Sequence, residues 1–288
     1  MITCNLMGGF GNQLFQIFAT ISYAIKSKNQ FKFLGLETLG GGCTTLRYTF
    51  WNTFFSNLKP FLVKEMPGVH VIREKDFTYN ELPLYEMINR DVLIFGYFQS
   101  YKYFQSNYSI ICRVIGLDKM KENLINKLQL NNININININ NLEKNISMHF
   151  RLGDYKKIQE FHPLATYNYY ERALTHIKNV KPEETFTILF FCEDIDIDDV
   201  LITINKLIEK FPNYSFIRGD NTLADWEQML FMSICHHNII ANSSFSWWGA
   251  YFNSWQDKIV CYPSLWFGKV SNNDTKDLCP PEWIKIEV

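Results

Sequence analysis

The sequence has no Cys-x-x-Cys pair, no surplus of charge of either sign and no long apolar run. Each absence narrows what the chain can be. Its seven cysteines stand at positions 4, 43, 112, 192, 235, 261 and 279. That number is odd and the spacings are wide, so neither a zinc site nor a thioredoxin-type redox pair is indicated. Most of them sit beside apolar neighbours, as in Phe191-Cys192 and Val260-Cys261, which fits reduced thiols in a core.

Charge is nearly balanced, with 28 Lys plus Arg against 29 Asp plus Glu. Nucleic-acid binding draws on clustered cations, so no nucleic-acid partner is expected and any phosphate site must be local. No stretch reaches the roughly 18 apolar residues that a transmembrane helix needs. The first residues lack a basic segment followed by an apolar stretch and a cleavage site. A cytoplasmic location is expected, with peripheral membrane contact left open.

The chain has 288 residues, 47% of them hydrophobic, enough for one large α/β unit or two compact domains. Aromatics reach 16%, which suits an aromatic core and an aromatic-lined cleft equally. Ile2 to Leu6 reads as a strand, Met7-Gly8-Gly9-Phe10-Gly11-Asn12-Gln13 as a glycine turn, and Leu14 to Ala24 as a helix: the opening of a Rossmann-like βα unit. Lys32 to Leu36 and Val92 to Phe98 are further strands, and a helical stretch covers 101–128. Residues 37–90 are irregular and aromatic.

Asn131 to Asn141 alternates Asn with Ile. Period-2 alternation argues for a strand, but Asn is disfavoured there and the segment is low in complexity, so a linker is expected. Three parts follow: 1–130, a linker at 131–145, and 146–288. In the last part strands are expected at Ile146–Phe150, Thr185–Cys192, Tyr214–Arg218, Asn238–Ala241 and, last of all, Ile259–Tyr262. Helices between them cover Tyr167–Asn179, Ile197–Phe211, Thr222–Cys235 with Thr222 as N-cap, and Phe245–Phe252. Alternating strands and helices argue for an α/β fold with parallel sheets.

Two segments carry the chemistry. In His149-Phe150-Arg151-Leu152-Gly153-Asp154-Tyr155, strand alternation points His149 and Arg151 to one face, and Gly153 permits a tight turn. Arg151 at a strand end offers fixed donors matched to phosphate oxygens, or forms a structural ion pair with Asp154. In Asn242-Ser243-Ser244-Phe245-Ser246-Trp247-Trp248, hydroxyls and amides stand where a helix begins, a good setting for an anion or a simple Ser N-cap. The two Trp read as packing. In open α/β sheets ligands bind beyond the strands' carboxyl ends, and together these segments suit a diphosphate. His236-His237 lacks a third ligand at metal spacing, and adjacent side chains on a helix do not face each other, so a structural role is expected.

With the opening Gly-Gly-Phe-Gly-Asn-Gln-Leu-Phe-Gln, these segments resemble the α-1,2-fucosyltransferase family, glycosyltransferase family 11. Gly96-Tyr97-Phe98-Gln99-Ser100 and Phe191-Cys192-Glu193-Asp194 are weaker matches. The resemblance implies two Rossmann-like domains facing across a cleft (the GT-B type) and an inverting, metal-independent transfer from GDP-fucose. It implies an acceptor side in 1–130 and a nucleotide-sugar side in 146–288. No cofactor beyond the donor substrate is expected, and the partners are a nucleotide-sugar and a glycan acceptor. The family's usual second Arg is Leu152 here, and its Ser-Asp-Asp is Cys192-Glu193-Asp194, which puts the donor in question more than the reaction.

On this reading His149, Arg151, Gly153, Asn242, Ser243, Ser244 and Ser246 hold the donor. Asp194 or Asp225 reads the nucleoside; the plain alternatives are a solvated acidic loop and a charge at a helix start. Gly9, Asn12 and Gln13 face the cleft, or Asn12 caps the helix. The base is Asp154 or Glu160, with His162 near it, since a similar acidic-Phe-His-Pro stretch follows the Arg motif in related α-1,6-fucosyltransferases. A transferase for another nucleotide-sugar and a non-catalytic glycan-binding relative are the two rivals.

Overall fold

The structure is a computed structural model that describes residues 1–40, 45–66, 68–84, 91–130 and 139–288. Most of the Asn/Ile alternation, 131–138, lies outside the described residues. Two compact units emerge. One comprises Met1–Met120 with Asn273–Pro280, the other Lys121–Asn272 with Pro281–Val288. The division falls inside a helix rather than at 131, and the stretch 146–288 is interrupted by eight residues that pack with the first unit.

In the first unit, β1 (Ile2–Cys4) is fully buried and leads through a glycine turn into α1 (Phe10–Lys26). Gly8 has φ +74, and a Cβ there would stand 2.5 Å from the Asn12 side-chain nitrogen. Glycine alone enters this bend without strain. The Gln16 side chain locks it, accepting from the Met7 N–H at 2.8 Å and donating to the Met7 carbonyl at 3.2 Å. Phe10 packs on Phe50, Phe54 and Phe55. Short ladders pair β2 (Phe33–Leu34) with β5 (Leu62–Val63), and β3 (Thr38–Leu39) with β4 (Arg47–Tyr48).

The main sheet of this unit adds β6 (His70–Arg73) and β7 (Val92–Phe95), in the order β1-β7-β6, all parallel. The loop after β7 carries Phe98 at φ +52, fully buried. A left-handed conformation in a bulky residue costs on the order of 1–3 kcal/mol, which the surroundings must offset. The helical stretch expected over 101–128 is split into α2 (Tyr108–Ile115) and α3 (Leu117–Leu130). Gly116, at φ +76, ends α2 by donating to the Cys112 and Arg113 carbonyls.

The second unit holds six parallel strands: β8 (Asn145–His149), β9 (Thr187–Phe191), β10 (Ser215–Arg218), β11 (His237–Ile239), β12 (Val260–Pro263) and β13 (Ile284–Ile286). Helices α4 (Tyr167–Val180), α5 (Ile197–Lys210), α6 (Asp225–Ile234) and α7 (Ser244–Tyr251) connect them. The spatial order is β10-β9-β8-β11-β12-β13. Ile259–Tyr262 is therefore not the last strand. Three residues near the C-terminus, too short for a periodic signal, add the edge.

Ile146, Met148, Ile188, Phe190 and Ile239 form the centre of this unit's core against Tyr169, Tyr170, Leu174 and Ile177 of α4. The two tyrosines are fully buried yet satisfied. Tyr169 donates to the Ile240 carbonyl at 2.5 Å and Tyr170 to the His149 carbonyl at 3.0 Å. The first hydroxyl fixes backbone just beyond the end of β11, the second the last residue of β8. Trp247 and Trp248 are fully buried, as their apolar setting requires.

Candidate active site

The chain leaves β8 for β9 on one side of the sheet and later returns to β11 on the other. The strand order reverses between β8 and β11, and in open parallel sheets a ligand crevice forms outside the carboxyl ends at such a point. The Arg motif leaves β8 there and the Ser motif leaves β11 there, so topology brings together two segments about ninety residues apart. Side chains join them as well. The Tyr155 hydroxyl donates to the Asn242 carbonyl at 3.4 Å, and the His149 and Phe245 rings lie 5.6 Å apart.

Arg151 is the cation at this point. One of its terminal nitrogens pairs with Glu193 at the end of β9, the other with Asp154. Its guanidinium lies 5.0 Å from the centre of the Tyr155 ring. Both carboxylates are about half exposed, while the Arg side chain is 22% exposed. Exposed acids around a partly sheltered cation hold it in place, and an incoming anion can exchange with them at little cost. The ion pair with Asp154, the plain reading of the sequence, is present, and Glu193 adds a second that the spacing did not announce.

Two neighbours set the turn after Arg151. Gly153 has φ +40 and donates its N–H to Asp196 at 2.7 Å; Lys156 reaches Asp196 and Asp199, each at 2.6 Å. Asp196 is 2% exposed. It anchors the Arg-bearing turn to the start of α5, a role that a run of acids in sequence conceals.

His149 ends β8 and is buried. Burial, with a smaller push from the Arg151 charge, lowers its pKa to about 3, so the ring is neutral near pH 7. Its Nδ1 is buried without a hydrogen-bond partner, as are Nδ1 of His162 and Oδ1 of Asn242. His162 stacks on Tyr155, ring centres 4.6 Å apart, and burial lowers its pKa too, against the raising influence of Asp154.

The Ser motif divides in two. Ser243 is the N-cap of α7, its hydroxyl accepting from the Phe245 N–H at 3.3 Å, and Ser244 is the half-buried first residue of the helix. Ser246, expected at the ligand, is instead fully buried, its hydroxyl directed at the Ala241 and Ser243 carbonyls. Asn242 uses its amide N–H groups on the Pro163 and Trp266 carbonyls, at 2.9 and 3.1 Å. It thereby ties two loops to the crevice. Glu160 is exposed in the first of these loops, whose backbone pairs with the second: Gly268 donates to Phe161 at 2.8 Å.

Asp194 accepts from Arg218 at the end of β10 and from Asn221 at 3.0 Å; these bonds lower its pKa. Asp225 is the exposed first residue of α6. Thr222 does not cap that helix, because Asp220 engages both its N–H and its hydroxyl in a turn. The N-cap position falls to Ala224, whose N–H donates to Glu227 at 3.0 Å.

In the first unit Gly9, not Asn12, is the N-cap of α1. Asn12 accepts from Gln99 at 2.9 Å. Gln13, expected to face a ligand, is fully buried and donates to the Gly8 and Tyr48 carbonyls at 3.1 and 2.9 Å. His236 and His237 are stacked at the opposite end of the second unit's sheet, where the strands begin. Among the described residues no group of three His, Cys, Asp or Glu side chains is placed to hold a metal ion, and no helix is long and apolar enough to cross a membrane.

Comparison with known proteins places the chain among glycosyltransferases. The chain is 29% identical to the O-antigen biosynthesis glycosyltransferase WbnK of Escherichia coli, over 99% of this chain and 100% of that protein. It is 26% identical to an alpha-1,2-colitosyltransferase of Escherichia coli, over 100% and 99% of the two chains. A solved structure of a mutant of Arabidopsis thaliana FUT1 in complex with GDP aligns with 90% of this chain and 69% of its own, at 6% identity and a TM-score of 0.49. The sequence pattern of glycosyl transferase family 11 matches residues 55–287, from the aromatic stretch of the first unit to the last strand of the second, and the chain belongs to that family.

Proposed function

We propose that this protein transfers L-fucose from GDP-fucose to a sugar hydroxyl, O2 of a β-galactoside, with inversion at the anomeric carbon. The observation that carries this reading is Arg151 at the switch point of the second unit's sheet, held by exchangeable carboxylates and tied through Tyr155 to the Ser motif. The acceptor oxygen attacks C1 of fucose from the face opposite the diphosphate. The bond from C1 to the β-phosphate oxygen breaks, and its electron pair leaves with GDP. Arg151 neutralises the charge that develops there, a task a fixed guanidinium performs with little reorganisation. Ser243, Ser244 and the first turn of α7 hold the diphosphate. Asp194 or Asp225 reads the nucleoside. The acceptor proton passes to Asp154 or Glu160 and then to water. No cofactor takes part beyond the donor substrate, and the reaction belongs in the cytoplasm.

The test is a thermal-shift panel of GDP, UDP and dTDP with the corresponding sugars. A ligand at roughly 100 times its dissociation constant stabilises by about 2.7 kcal/mol. Stabilisation by GDP and GDP-fucose, with loss of transfer in Arg151→Ala, is the expected result. A second donor is favoured by specific observations: Leu152 and Cys192 replace residues usual in the family, and one relative is named a colitosyltransferase. Colitose lacks the C3 hydroxyl of fucose, so comparing turnover of GDP-fucose with GDP-colitose separates the two.

A further inference from the structure

The stretch between β12 and β13 belongs to none of the motifs that carry the resemblance, yet the fold brings its start to the candidate site. β12 is the neighbour of β11 and runs parallel to it, so both release their chains at the same edge of the sheet. The segment at 265–270 follows β12 there.

This segment is clasped to the loop at 158–163, which carries Glu160 and His162. Gly268 donates its N–H to the Phe161 carbonyl at 2.8 Å, and Val270 donates to the Glu160 carbonyl at 3.3 Å, a short backbone ladder between two loops. Asn242 joins the same two loops, donating to the Pro163 and Trp266 carbonyls at 2.9 and 3.1 Å. The Phe267 ring lies 5.7 Å from that of His162. Within the loop, the Ile158 carbonyl accepts from the Phe161 and His162 N–H groups, both at 2.9 Å, which closes the turn on itself.

Glycine at 268 is what lets the two backbones meet. A Cβ there would collide with the Glu160 carbonyl and stand 2.9 Å from that of Gln159. Backbone cannot swing aside as the end of a long side chain can, so a side chain at 268 pushes the loops apart. His162 also meets the Arg motif. Its ring stacks on Tyr155 at 4.6 Å, and the Arg151 guanidinium lies 5.0 Å from the Tyr155 ring centre. A line of contacts thus runs from Phe267 through His162 and Tyr155 to the cation of the candidate site.

A carboxylate and a neutral imidazole can each accept a proton, and a base displaced by about 1 Å can lose roughly a hundredfold in rate. We infer that the segment at 265–270 completes the active site, with Gly268 as the positioning residue that sets Glu160 and His162 for taking the acceptor's proton. The proton's role rests on the transferase reading; the clasp does not.

The experiment compares wild type, Gly268→Ala and Phe267→Leu as full chains, with far-UV circular dichroism reporting their folding. Proton NMR follows the His162 imidazole through pH, its signal assigned by His162→Gln. Burial, helped by Arg151 and opposed by Asp154, holds that ring below the ordinary histidine value. In Gly268→Ala the imidazole titrates nearer the ordinary value, transfer from GDP-fucose to lactose falls by roughly a hundredfold, and GDP binds as tightly as to wild type. Phe267→Leu keeps the backbone ladder and moves the imidazole in the same direction, with a smaller loss of turnover.

Full turnover in folded Gly268→Ala overturns the inference and leaves Asp154, on its own turn, as the base. An unchanged imidazole titration in that variant overturns it too. A merely structural glycine would lower turnover and GDP affinity together. Should Gly268→Ala not fold, Phe267→Leu decides, and wild-type values of both imidazole titration and turnover overturn the inference. A wild-type chain that turns over no GDP-fucose overturns the donor assignment instead; the imidazole titration then still reports whether the clasp holds His162, which keeps the two failures apart.

Discussion

Arg151 and Glu193 form an ion pair across the ends of β8 and β9, so the guanidinium beside the switch point is already engaged by an acid from the neighbouring strand. The same acid sits against the turn: a Cβ on Gly153 would come within 3.2 Å of it. Glu193 thus positions Arg151 and also competes with a phosphate for its N–H groups.

Glu193→Gln tests that competition. Removing a half-exposed charge beside a diphosphate relieves repulsion of modest size. GDP is expected to bind roughly two- to fivefold tighter, as a pair of this exposure permits, and calorimetric titration reads the change. Weaker binding would show that Glu193 serves as an orienting partner or a ligand contact rather than a competitor.

Asn242 is expected to be more tolerant of deletion than of inversion. Its amide donates to two carbonyls, from Pro163 and Trp266. Asn242→Ala removes the donors and leaves those carbonyls unpaired, costing about 1–3 kcal/mol. Asn242→Asp places a carboxylate against two acceptors and should cost more, as denaturant unfolding of both variants would reveal. Equal losses would contradict the bonding described.

Stability at low pH should depend on Asp257. Its pKa is lowered to about 2, chiefly by the hydrogen bond from His236 and then by Lys181. A depressed carboxyl contributes stability that is fully present above its unfolded pKa, about 3.9. That contribution is lost as pH falls from there toward 2. Asp257→Asn should flatten the stability profile between about pH 4 and 2. An unchanged acid limb would show that the pair with His236 does not form in solution.

Gly219→Ala is expected to destabilise by about 1–3 kcal/mol, the usual cost of overpacking. A Cβ there would stand 2.4 Å from the Phe191 ring, itself packed edge-on against Phe231. Thermal unfolding reports the loss, and a neutral result would mean that the β9 and β10 ends can separate.

The second unit was largely legible because short apolar runs mark its strands except β13, and a helix follows each of β8 to β11. The strand limits differ by one or two residues, where fraying sets the boundary rather than sequence. Thr222 illustrates a local competition: its hydroxyl was available for a cap, but Asp220 two residues earlier took it. Ser246 and Gln13 show the converse. Polar residues in a motif read as ligands until burial reveals that their groups serve backbone carbonyls. The stretch 37–90 gave no pattern because its strands among the described residues are two to four residues long and rest on aromatic packing between distant positions.

The most direct measurement is titration of GDP into the wild-type chain and into Arg151→Ala, with far-UV circular dichroism confirming that both are folded. Truncating one partner of a charge pair of this kind costs on the order of 2–5 kcal/mol, so GDP affinity should fall by roughly a hundredfold or more. Equal GDP affinity in the two folded proteins would contradict the placement of the diphosphate at Arg151.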